Sequence, residues 1–229
     1  MRLPVRLKTR LDTRLPARMT GREVRWFRMN EGGTDFISIP DAVLIGDFLI
    51  GMDVTELGQG TVTYALGNST GSPDRGVIEV TPVGNLKLFS ATNGTRISNF
   101  IVPPDRFFRL LVSRVGSTLT MALADTAISE TFDFGTADIR LDAIGGHGVG
   151  RSKGVYANLT VEGVGVLPRN YPINDDSNTI IDTVGGQIGS VVNGNPEDWG
   201  LFEKLPNGNW RGINLSAAWD SPNQILEVA

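Results

Sequence analysis

Short apolar stretches follow one another from residue 35 to residue 163, and each is the length of a β-strand. Glycine and asparagine separate them at 67–71, 92–95 and 115–117, where hairpins need residues that tolerate a positive φ. Such a series, without helical periodicity between the strands, predicts an all-β chain whose antiparallel strands pack as a two-sheet sandwich or jelly roll. The predicted strands are Asp35–Ile39, Val43–Val54, Gly60–Leu66, Val77–Thr81, Leu86–Ser90, Ile97–Val102, Phe107–Arg114, Thr118–Leu123, Ile128–Phe134, Ile139–Ile144 and Val155–Gly163.

The chain has 229 residues, which is long enough for one large β domain with extensions. It contains no cysteine, so its stability must come from a packed core and from assembly. No apolar stretch reaches the length of a signal-peptide core or of a membrane span. We therefore expect a soluble protein that is made without a signal peptide and has no membrane partner.

The N-terminal arm, residues 1–28, differs from the rest of the chain in charge and in pattern. It holds nine basic and two acidic residues, a net charge of +7, whereas residues 29–229 hold 12 basic and 23 acidic residues, a net charge of −11. Arginine recurs at every fourth position from Arg2 to Arg22, and each of the first five is followed by Leu or Met. This asymmetry indicates a segment that binds an acidic surface of another subunit or a polyanion.

Alternate residues of the arm are apolar and basic, which is the pattern of an amphipathic extended segment. A helix would also gather the leucines, but Pro4, Pro16 and several β-branched residues oppose it. We predict an extended basic arm that docks on a partner by strand addition. A solvated tail is the alternative, and nucleic-acid binding is less favoured because the first aromatic residue is Trp26. The residues expected to dock are Leu3, Arg6, Leu7, Arg10, Leu11, Arg14, Leu15 and Arg18.

Several segments between residues 35 and 165, taken in order, resemble the laminin-G-like branch of concanavalin A-like jelly rolls. They include Asp35–Pro40, Gly46–Val54, Gly84–Phe89, Arg106–Thr120 and Gly154–Glu162. Each motif is weak alone, and their order carries the resemblance. The resemblance implies a concanavalin A-like, antiparallel two-sheet jelly-roll sandwich.

The stretch from Tyr171 to Trp199 is similar to a phrase that follows laminin-G-like domains in virion proteins of tailed bacteriophages. The resemblance implies a virion protein of the tail, baseplate or fibre, with other virion proteins as partners and a homo-oligomer such as a trimer. Together with the charge of the arm, these resemblances lead us to divide the chain into the basic arm at 1–28, a laminin-G-like jelly roll at 29–170 and a C-terminal extension with a Trp-rich tail at 171–229.

Three of the four tryptophans lie near the C-terminus, at Trp199, Trp210 and Trp219. An exposed indole can stack on the apolar face of a sugar ring, which makes these residues candidates for glycan binding. Burial in the core or between subunits explains an indole equally well, and it is the explanation that we favour.

The acidic residues do not form the pattern that the resemblance would require of an enzyme. Glycosidases on this jelly roll carry their acids at alternate positions of one strand, whereas the nearest pairs here, Asp53 with Glu56 and Glu130 with Asp133, are three residues apart. In a strand such pairs point to opposite faces. We expect no catalytic residue, and a polysaccharide-degrading enzyme is the less favoured alternative.

Asp175 and Asp176 could supply oxygen ligands to calcium, but Asn and Asp also crowd turns for backbone reasons. We therefore expect no cofactor and keep calcium as a weak alternative. His147 is the one histidine of the chain and lies in a run of glycines, which predicts a hairpin loop.

The expected function is that of a phage virion structural protein, located in the virion. It would dock through its arm and present a lectin-like domain for binding a host surface glycan. The alternative is a capsid decoration or cement protein without glycan affinity.

Overall fold

The computed structural model describes residues 24–29, 35–55, 60–68, 71–103, 108–124, 126–147, 150–151, 154–173, 179–193, 199–204, 210–213 and 226–228. The regular elements in this part of the chain are β-strands, and they pair antiparallel. None of its residues belongs to a helix that could cross a membrane.

In the described part of the chain the strands form a ten-stranded sheet, an eight-stranded sheet and a two-stranded hairpin of β12 and β13. The ten-stranded sheet is called the large sheet and the eight-stranded one the small sheet. The large sheet runs in the order β10-β9-β8-β3-β14-β1-β18-β19-β20, and β15 also pairs with β14. The small sheet runs in the order β16-β17-β2-β11-β4-β5-β6-β7. The predicted antiparallel jelly-roll sandwich is therefore confirmed. The strands are β1 Val24–Met29, β2 Phe36–Leu44, β3 Phe48–Thr55, β4 Thr63–Gly67, β5 Gly76–Val80, β6 Asn85–Ser90, β7 Gly94–Ile101, β8 Phe108–Val115, β9 Thr118–Leu123, β10 Ser129–Asp133, β11 Ile139–Ile144, β12 Gly146–His147, β13 Gly150–Arg151, β14 Gly154–Gly163, β15 Val166–Tyr171, β16 Thr179–Ile181, β17 Ile188–Val192, β18 Trp199–Lys204, β19 Trp210–Ile213 and β20 Leu226–Val228.

The hydrophobic core lies between the inner faces of the two sheets. Alternation along each strand delivers every second side chain to it, as Leu86 and Leu88 show on β6. Tyr156 of the large sheet is fully buried, and its hydroxyl donates to the Tyr64 carbonyl of the small sheet at 3.0 Å. The sheets are thus joined by apolar packing and by satisfied polar groups.

The segment predicted as one strand from Val43 to Val54 is two strands, β2 and β3. The chain turns at Gly46, whose φ of +101° is open to glycine and costly for other residues. Because apolar residues lie on both sides of the turn, the sequence pattern does not show where it occurs. The prediction of one continuous strand is therefore wrong at this point.

Arg114 is buried completely beneath that turn. Its Nε donates to the Gly46 carbonyl at 2.8 Å and its Nη1 to the Ala137 carbonyl at 2.6 Å. The guanidinium also lies 5.1 Å from the centroid of the Phe48 ring. Desolvation lowers the pKa of Arg114 from its ordinary value, and the nearby acids Asp138 and Asp47 oppose that shift.

One side of the sandwich is closed by contacts between the edge strands β7 and β10. The Glu130 carboxylate accepts the Asn99 backbone N–H at 2.7 Å and the Asn99 side-chain amide at 2.6 Å. Arg96 Nε donates to the Asp133 carbonyl at 2.6 Å. Of these two acids, which lie three residues apart in the sequence, Glu130 thus links the strands through its carboxylate and Asp133 through its backbone carbonyl.

The other side is closed by the turn between β16 and β17, which packs against β15. Asp182 is buried, and its carboxylate accepts the backbone N–H groups of Asn170 at 2.7 Å, Val184 at 3.0 Å and Gly185 at 2.9 Å. The Thr183 N–H donates to the Asn170 carbonyl at 2.9 Å. One carboxylate therefore organises the turn and covers the edge of β15.

The C-terminal segment contributes strands to both sheets. In the small sheet β17 pairs with β2, and in the large sheet β18 pairs with β1, which in turn pairs with β14. The division of the chain at 28 and 170 remains a prediction. The arm before Val24 lies outside the described residues.

Candidate functional site

A row of side chains crosses the outer face of the small sheet from β4 to β7. The pairing register aligns Tyr64 with Glu79, Glu79 with Lys87, and Lys87 with Ile97. The residue before Glu79 on β5, Ile78, belongs to the core cluster. Because successive strand residues point to opposite faces, these four residues lie on the outside of the sandwich. We call them the outer row.

Glu79 and Lys87 form the centre of the outer row. Lys87 Nζ donates to Glu79 Oε1 at 2.5 Å, and the Glu79 side chain is 8% exposed while that of Lys87 is 26% exposed. A pair with one shielded member is screened less by salt than two fully exposed charges. The row therefore holds a shielded carboxylate and a partly exposed ammonium group in fixed positions, and the ammonium group can donate further hydrogen bonds.

Phe89 adds an aromatic ring beside this ion pair. It lies two residues beyond Lys87 on β6, and therefore on the same face, and it is half-buried. The guanidinium carbon of Arg75 lies 5.7 Å from the centroid of the Phe89 ring, within the range of a cation–π contact. The face thus combines an apolar ring with charged groups on two neighbouring strands.

Tyr64, at the other end, forms a ring pair with His147 of β12. Their centroids are 5.9 Å apart and their planes are inclined at 53°. The hairpin can approach because Gly67 has no side chain: a Cβ there would lie 2.3 Å from the Gly146 carbonyl oxygen. His147 Nδ1 lies 3.1 Å from the Asn68 carbonyl oxygen, which can only accept. Nδ1 is therefore the donor, and in the neutral ring Nε2 is an acceptor.

Asn68 holds the two loops that flank Tyr64. It is fully buried, its Nδ2 donates to Asp142 Oδ2 at 3.3 Å, and its Oδ1 accepts the Ser72 N–H at 3.2 Å. Together with the contact to His147, these bonds tie the start of the loop after β4 to β11 and to the hairpin. The aromatic end of the outer row is therefore held in place before any ligand arrives.

A second polar group lies on the outer face of the large sheet. Arg109 crosses Gly51, donating from Nη1 to Asp53 Oδ1 at 3.1 Å and from Nη2 to Thr160 Oγ1 at 2.7 Å. Asn158 Nδ2 donates to the other Asp53 oxygen at 2.7 Å. These groups are bound to one another across β3, β8 and β14, which indicates a structural role.

A charged group at the surface of the small sheet also binds within itself. Arg140 lies 2.5 Å from Asp41 Oδ2 and 3.2 Å from Asp74 Oδ2. The pKa of Asp74 lies below its ordinary value, chiefly because Ser72 donates to the carboxylate and further because of Arg140, while burial opposes the shift. The pKa of Arg140 is raised, chiefly by its hydrogen bond with Asp74. This cluster ties strand ends together.

The side-chain contacts described above do not include the binding residues that were predicted from the sequence, so those predictions stay untested. The backbone of Trp199 pairs with that of Phe27, and the backbone of Trp210 pairs with those of Lys204 and Val228. Outside the described residues lie Trp219, the calcium candidates Asp175 and Asp176, Glu56, and the docking residues Leu3, Arg6, Leu7, Arg10, Leu11, Arg14, Leu15 and Arg18. In the part of the chain that is described, no group of three or more acidic or histidine residues is placed to hold a metal ion.

The outer row was not identified from the sequence. The alternation in Asn85–Ser90 does carry part of the signal, because Leu86 and Leu88 mark the inner face and leave Lys87 and Phe89 outside. The alignment of Lys87 with Glu79 and Tyr64 depends on strand register, which a single sequence does not give.

No protein-family model matches the sequence, and no curated protein matches it. Among solved structures, a Bacteroides ovatus ATCC 8483 protein described as carbohydrate-binding is similar, with a TM-score of 0.58 and 12% identity over 78% of this chain. This chain spans 59% of the length of that protein. The similarity supports the jelly-roll, lectin-like fold.

Two further solved structures are less similar. A heptameric SAP-like pentraxin from Limulus polyphemus has a TM-score of 0.47 and 11% identity, over 74% of this chain and 94% of its own. The CBM2 module of the evolved Dit of Lactobacillus casei BL23 phage J-1 has a TM-score of 0.34 and 11% identity, over 57% of this chain and 71% of its own.

Proposed function

We propose that this protein is a non-catalytic carbohydrate-binding module of a tailed-bacteriophage virion and that it binds glycan over the outer row. The observation that carries the proposal is the placement of aromatic rings beside a fixed ion pair: Tyr64, paired with His147, lies next to Glu79 across the strands, and Phe89 lies two residues beyond Lys87 along β6. Binding sites for small polar ligands combine apolar surface with a few convergent polar groups.

A sugar suits this arrangement because it has both kinds of surface. The apolar C–H face of a pyranose can stack on the half-buried rings of Tyr64 and Phe89, since aromatic side chains offer large apolar contact areas. Its hydroxyl oxygens can accept hydrogen bonds from the Lys87 ammonium group, which Glu79 holds in place. The similar fold of the Bacteroides ovatus protein, which is described as carbohydrate-binding, supports this choice of ligand.

Binding without hydrolysis is the second part of the proposal. Glycoside hydrolysis uses two carboxyl groups placed on either side of the scissile bond. Among the four residues of the outer row Glu79 carries the one carboxylate, and Lys87 is bound to it at 2.5 Å. A bound glycan would therefore meet one ion-paired acid there.

A virion location rests on the sequence resemblance of residues 171–199 to phage virion proteins. Electron microscopy of particles labelled with an antibody against this chain tests it directly. Label on the tail or fibre would support the proposal, and particles without label would overturn its virion part.

The glycan part is tested by applying the purified chain to an array of bacterial surface polysaccharides. We expect at least one polysaccharide to bind, and both Tyr64→Ala and Lys87→Ala to reduce its affinity about tenfold or more, the loss of roughly 1.4 kcal/mol. Leu49→Ala, on the outer face of the large sheet, is the control and should bind normally.

Two results would contradict the glycan proposal. Binding that survives both substitutions would move the site elsewhere, for example to Trp199 or Trp210. Absence of binding to every polysaccharide, from a chain that is present in virions, would favour the decoration protein without glycan affinity.

A further inference from the structure

Arg75 lies beside the candidate site, immediately before the start of β5. Its backbone is bound on both sides, because its N–H donates to the Ser72 carbonyl at 3.0 Å and its carbonyl accepts the Ala91 N–H at 3.1 Å. Its Nη1 lies 3.5 Å from the Gly71 carbonyl oxygen, and its guanidinium carbon lies 5.7 Å from the centroid of the Phe89 ring. Backbone and side-chain contacts thus hold a guanidinium group next to the aromatic ring of the site.

The charge of Arg75 is balanced differently from that of its neighbour Arg140. The backbones of the two residues form an isolated bridge, so they lie side by side. Arg140 is bound to two carboxylates, those of Asp41 and Asp74. Arg75 forms no ion pair with an acid in the described part of the chain, where its side chain contacts a carbonyl oxygen and an aromatic ring. Its positive charge is therefore left for a ligand.

The guanidinium group of Arg75 can still donate several hydrogen bonds. It carries five N–H donors in one plane, and the contact with the Gly71 carbonyl involves Nη1 alone. Arg75 is half-buried, so part of the group reaches solvent. A carboxylate or a phosphate group matches such a plane with two parallel hydrogen bonds. Because the ring of Phe89 already restrains the side chain, binding an oxyanion would cost little further ordering.

Lys87 adds a second cation to this part of the outer face. Its side chain is 26% exposed, whereas the Glu79 carboxylate that binds it is 8% exposed. Of the charged groups Glu79, Lys87 and Arg75, the two cations are thus the ones that a ligand can reach. Lysine and arginine donate hydrogen bonds and accept none. An oxyanion accepts several hydrogen bonds and donates none, so it matches these two groups better than a neutral sugar does.

The strand geometry brings the two cations near each other. Phe89 lies two residues beyond Lys87 on β6, and residues two apart on one face of a strand are separated by roughly 7 Å. Arg75 is held against the ring of Phe89. Lys87 and Arg75 are therefore close enough to contact the same sugar unit or two neighbouring units of one glycan.

We propose that the outer face of the small sheet recognises an acidic sugar and that Arg75 determines this specificity. The oxyanion is the carboxylate of a uronic acid or a phosphate substituent, and it forms two hydrogen bonds with the Arg75 guanidinium group while Lys87 binds an oxygen nearby. This inference rests on the proposed glycan site and names the class of sugar that it takes. Because the whole chain has a net charge of −4, the preference depends on these local contacts rather than on a general attraction for anions.

Three probes that share one carbon skeleton test the preference. Glucose, glucuronate and glucose 6-phosphate carry a hydroxymethyl, a carboxylate and a phosphate group, respectively, at the same place on the ring. Each is titrated into the isotope-labelled full-length chain, and NMR follows the amide resonances of Arg75, Gly76 and Phe89. We expect at least one charged probe to bind about tenfold more tightly than glucose, and the comparison of the two shows which oxyanion is preferred. Added salt should weaken the binding of the charged probe alone.

Arg75→Gln tests whether this residue causes the preference. The charged probe should bind about tenfold more weakly to the variant, whereas the affinity for glucose should change less than about twofold. Arg96→Gln is the matched control, because Arg96 also contacts carbonyl oxygens and an aromatic ring, that of Phe134. It is aligned with the core residue Leu88, so it lies off the outer face, and its loss should keep the preference. Circular dichroism checks the fold of both variants.

The outcomes separate this inference from the glycan site on which it rests. Equal affinity for all three probes, lost in Tyr64→Ala, would overturn the acidic-sugar inference and leave the glycan site in place. A preference for the charged probe that survives Arg75→Gln would overturn the role of Arg75. If no probe shifts the three amide resonances, the inference is wrong, and the polysaccharide array decides separately whether the chain binds glycan.

Discussion

Single polar side chains in this protein bind several backbone groups at once. Arg114 and Asp182 are both buried, one as a cation surrounded by carbonyl oxygens and the other as an anion surrounded by N–H groups. A buried charge is tolerated when hydrogen bonds replace the water that it has lost. At each site one residue fixes a loop that the sequence pattern alone leaves undefined.

Replacing Arg114 by Met should lower the free energy of unfolding by about 3 kcal/mol, because methionine fills much of the space but leaves the Gly46 and Ala137 carbonyls buried without donors. Urea denaturation monitored by circular dichroism measures the change. Arg96→Met is the control, and its loss should stay below about 1 kcal/mol because its hydrogen bonds are exposed to solvent. Equal losses in the two variants would show that burial of Arg114 is unimportant.

At the scale of elements, the sequence predicted strands better than it predicted their arrangement. Thr118–Leu123 and Ile139–Ile144 were predicted with the bounds that the structure shows, because turn residues border them on both sides. The break at Gly46 was missed because apolar residues continue through it. The positions of β16 and β17 beside β2 follow from long-range pairing, for which a single sequence holds no local signal.

The candidate site, too, could be predicted only in part from the sequence. Alternation places Lys87 and Phe89 outside the sandwich, but Tyr64 and His147 meet only because β4, β11 and the β12–β13 hairpin converge on Asn68. The tryptophans were predicted as glycan-binding candidates from their residue type alone. The outer row, by contrast, can be recognised only once the register of the paired strands is known. The type of residue suggested a class of ligand, whereas strand pairing defines the surface that we propose for it.

The hydrogen bonds of Asp182 and Glu130, which close the two sides of the sandwich, should differ in how much they contribute to the free energy of unfolding. Asp182→Ala leaves three backbone N–H groups without their acceptor in a buried turn, so we expect the free energy of unfolding to fall by roughly 3 kcal/mol. Glu130→Ala removes solvent-exposed bonds and should cost less than about 1 kcal/mol. Hydrogen exchange checks the location: the Asn170 amide should exchange faster in Asp182→Ala alone.

At the scale of the whole molecule, residues 179–193 belong to the sandwich. Ile180 and Val191 lie in the core cluster, and β17 covers the edge of β2. This segment is thus a structural part of the small sheet.

Truncation separates these contributions. A chain ending at residue 193 keeps Ile180 and Val191, whereas a chain ending at 173 loses both side chains and exposes β2. We expect the shorter chain to melt at least about 10 °C lower, since each buried aliphatic side chain contributes roughly 1.5–3 kcal/mol. Thermal melting followed by circular dichroism compares the two, and equal midpoints would mean that β16 and β17 do not support the fold.

The position of β1 between β14 and β18 also has a consequence for synthesis. Val24–Met29 leaves the ribosome before either of its partner strands exists, since these begin at Gly154 and Trp199. Native pairing of β1 must therefore wait for late residues, and contacts so distant in sequence form slowly. Until then β1 of the nascent chain lacks both partner strands, and the large sheet is completed only after Leu226–Val228 has been synthesised.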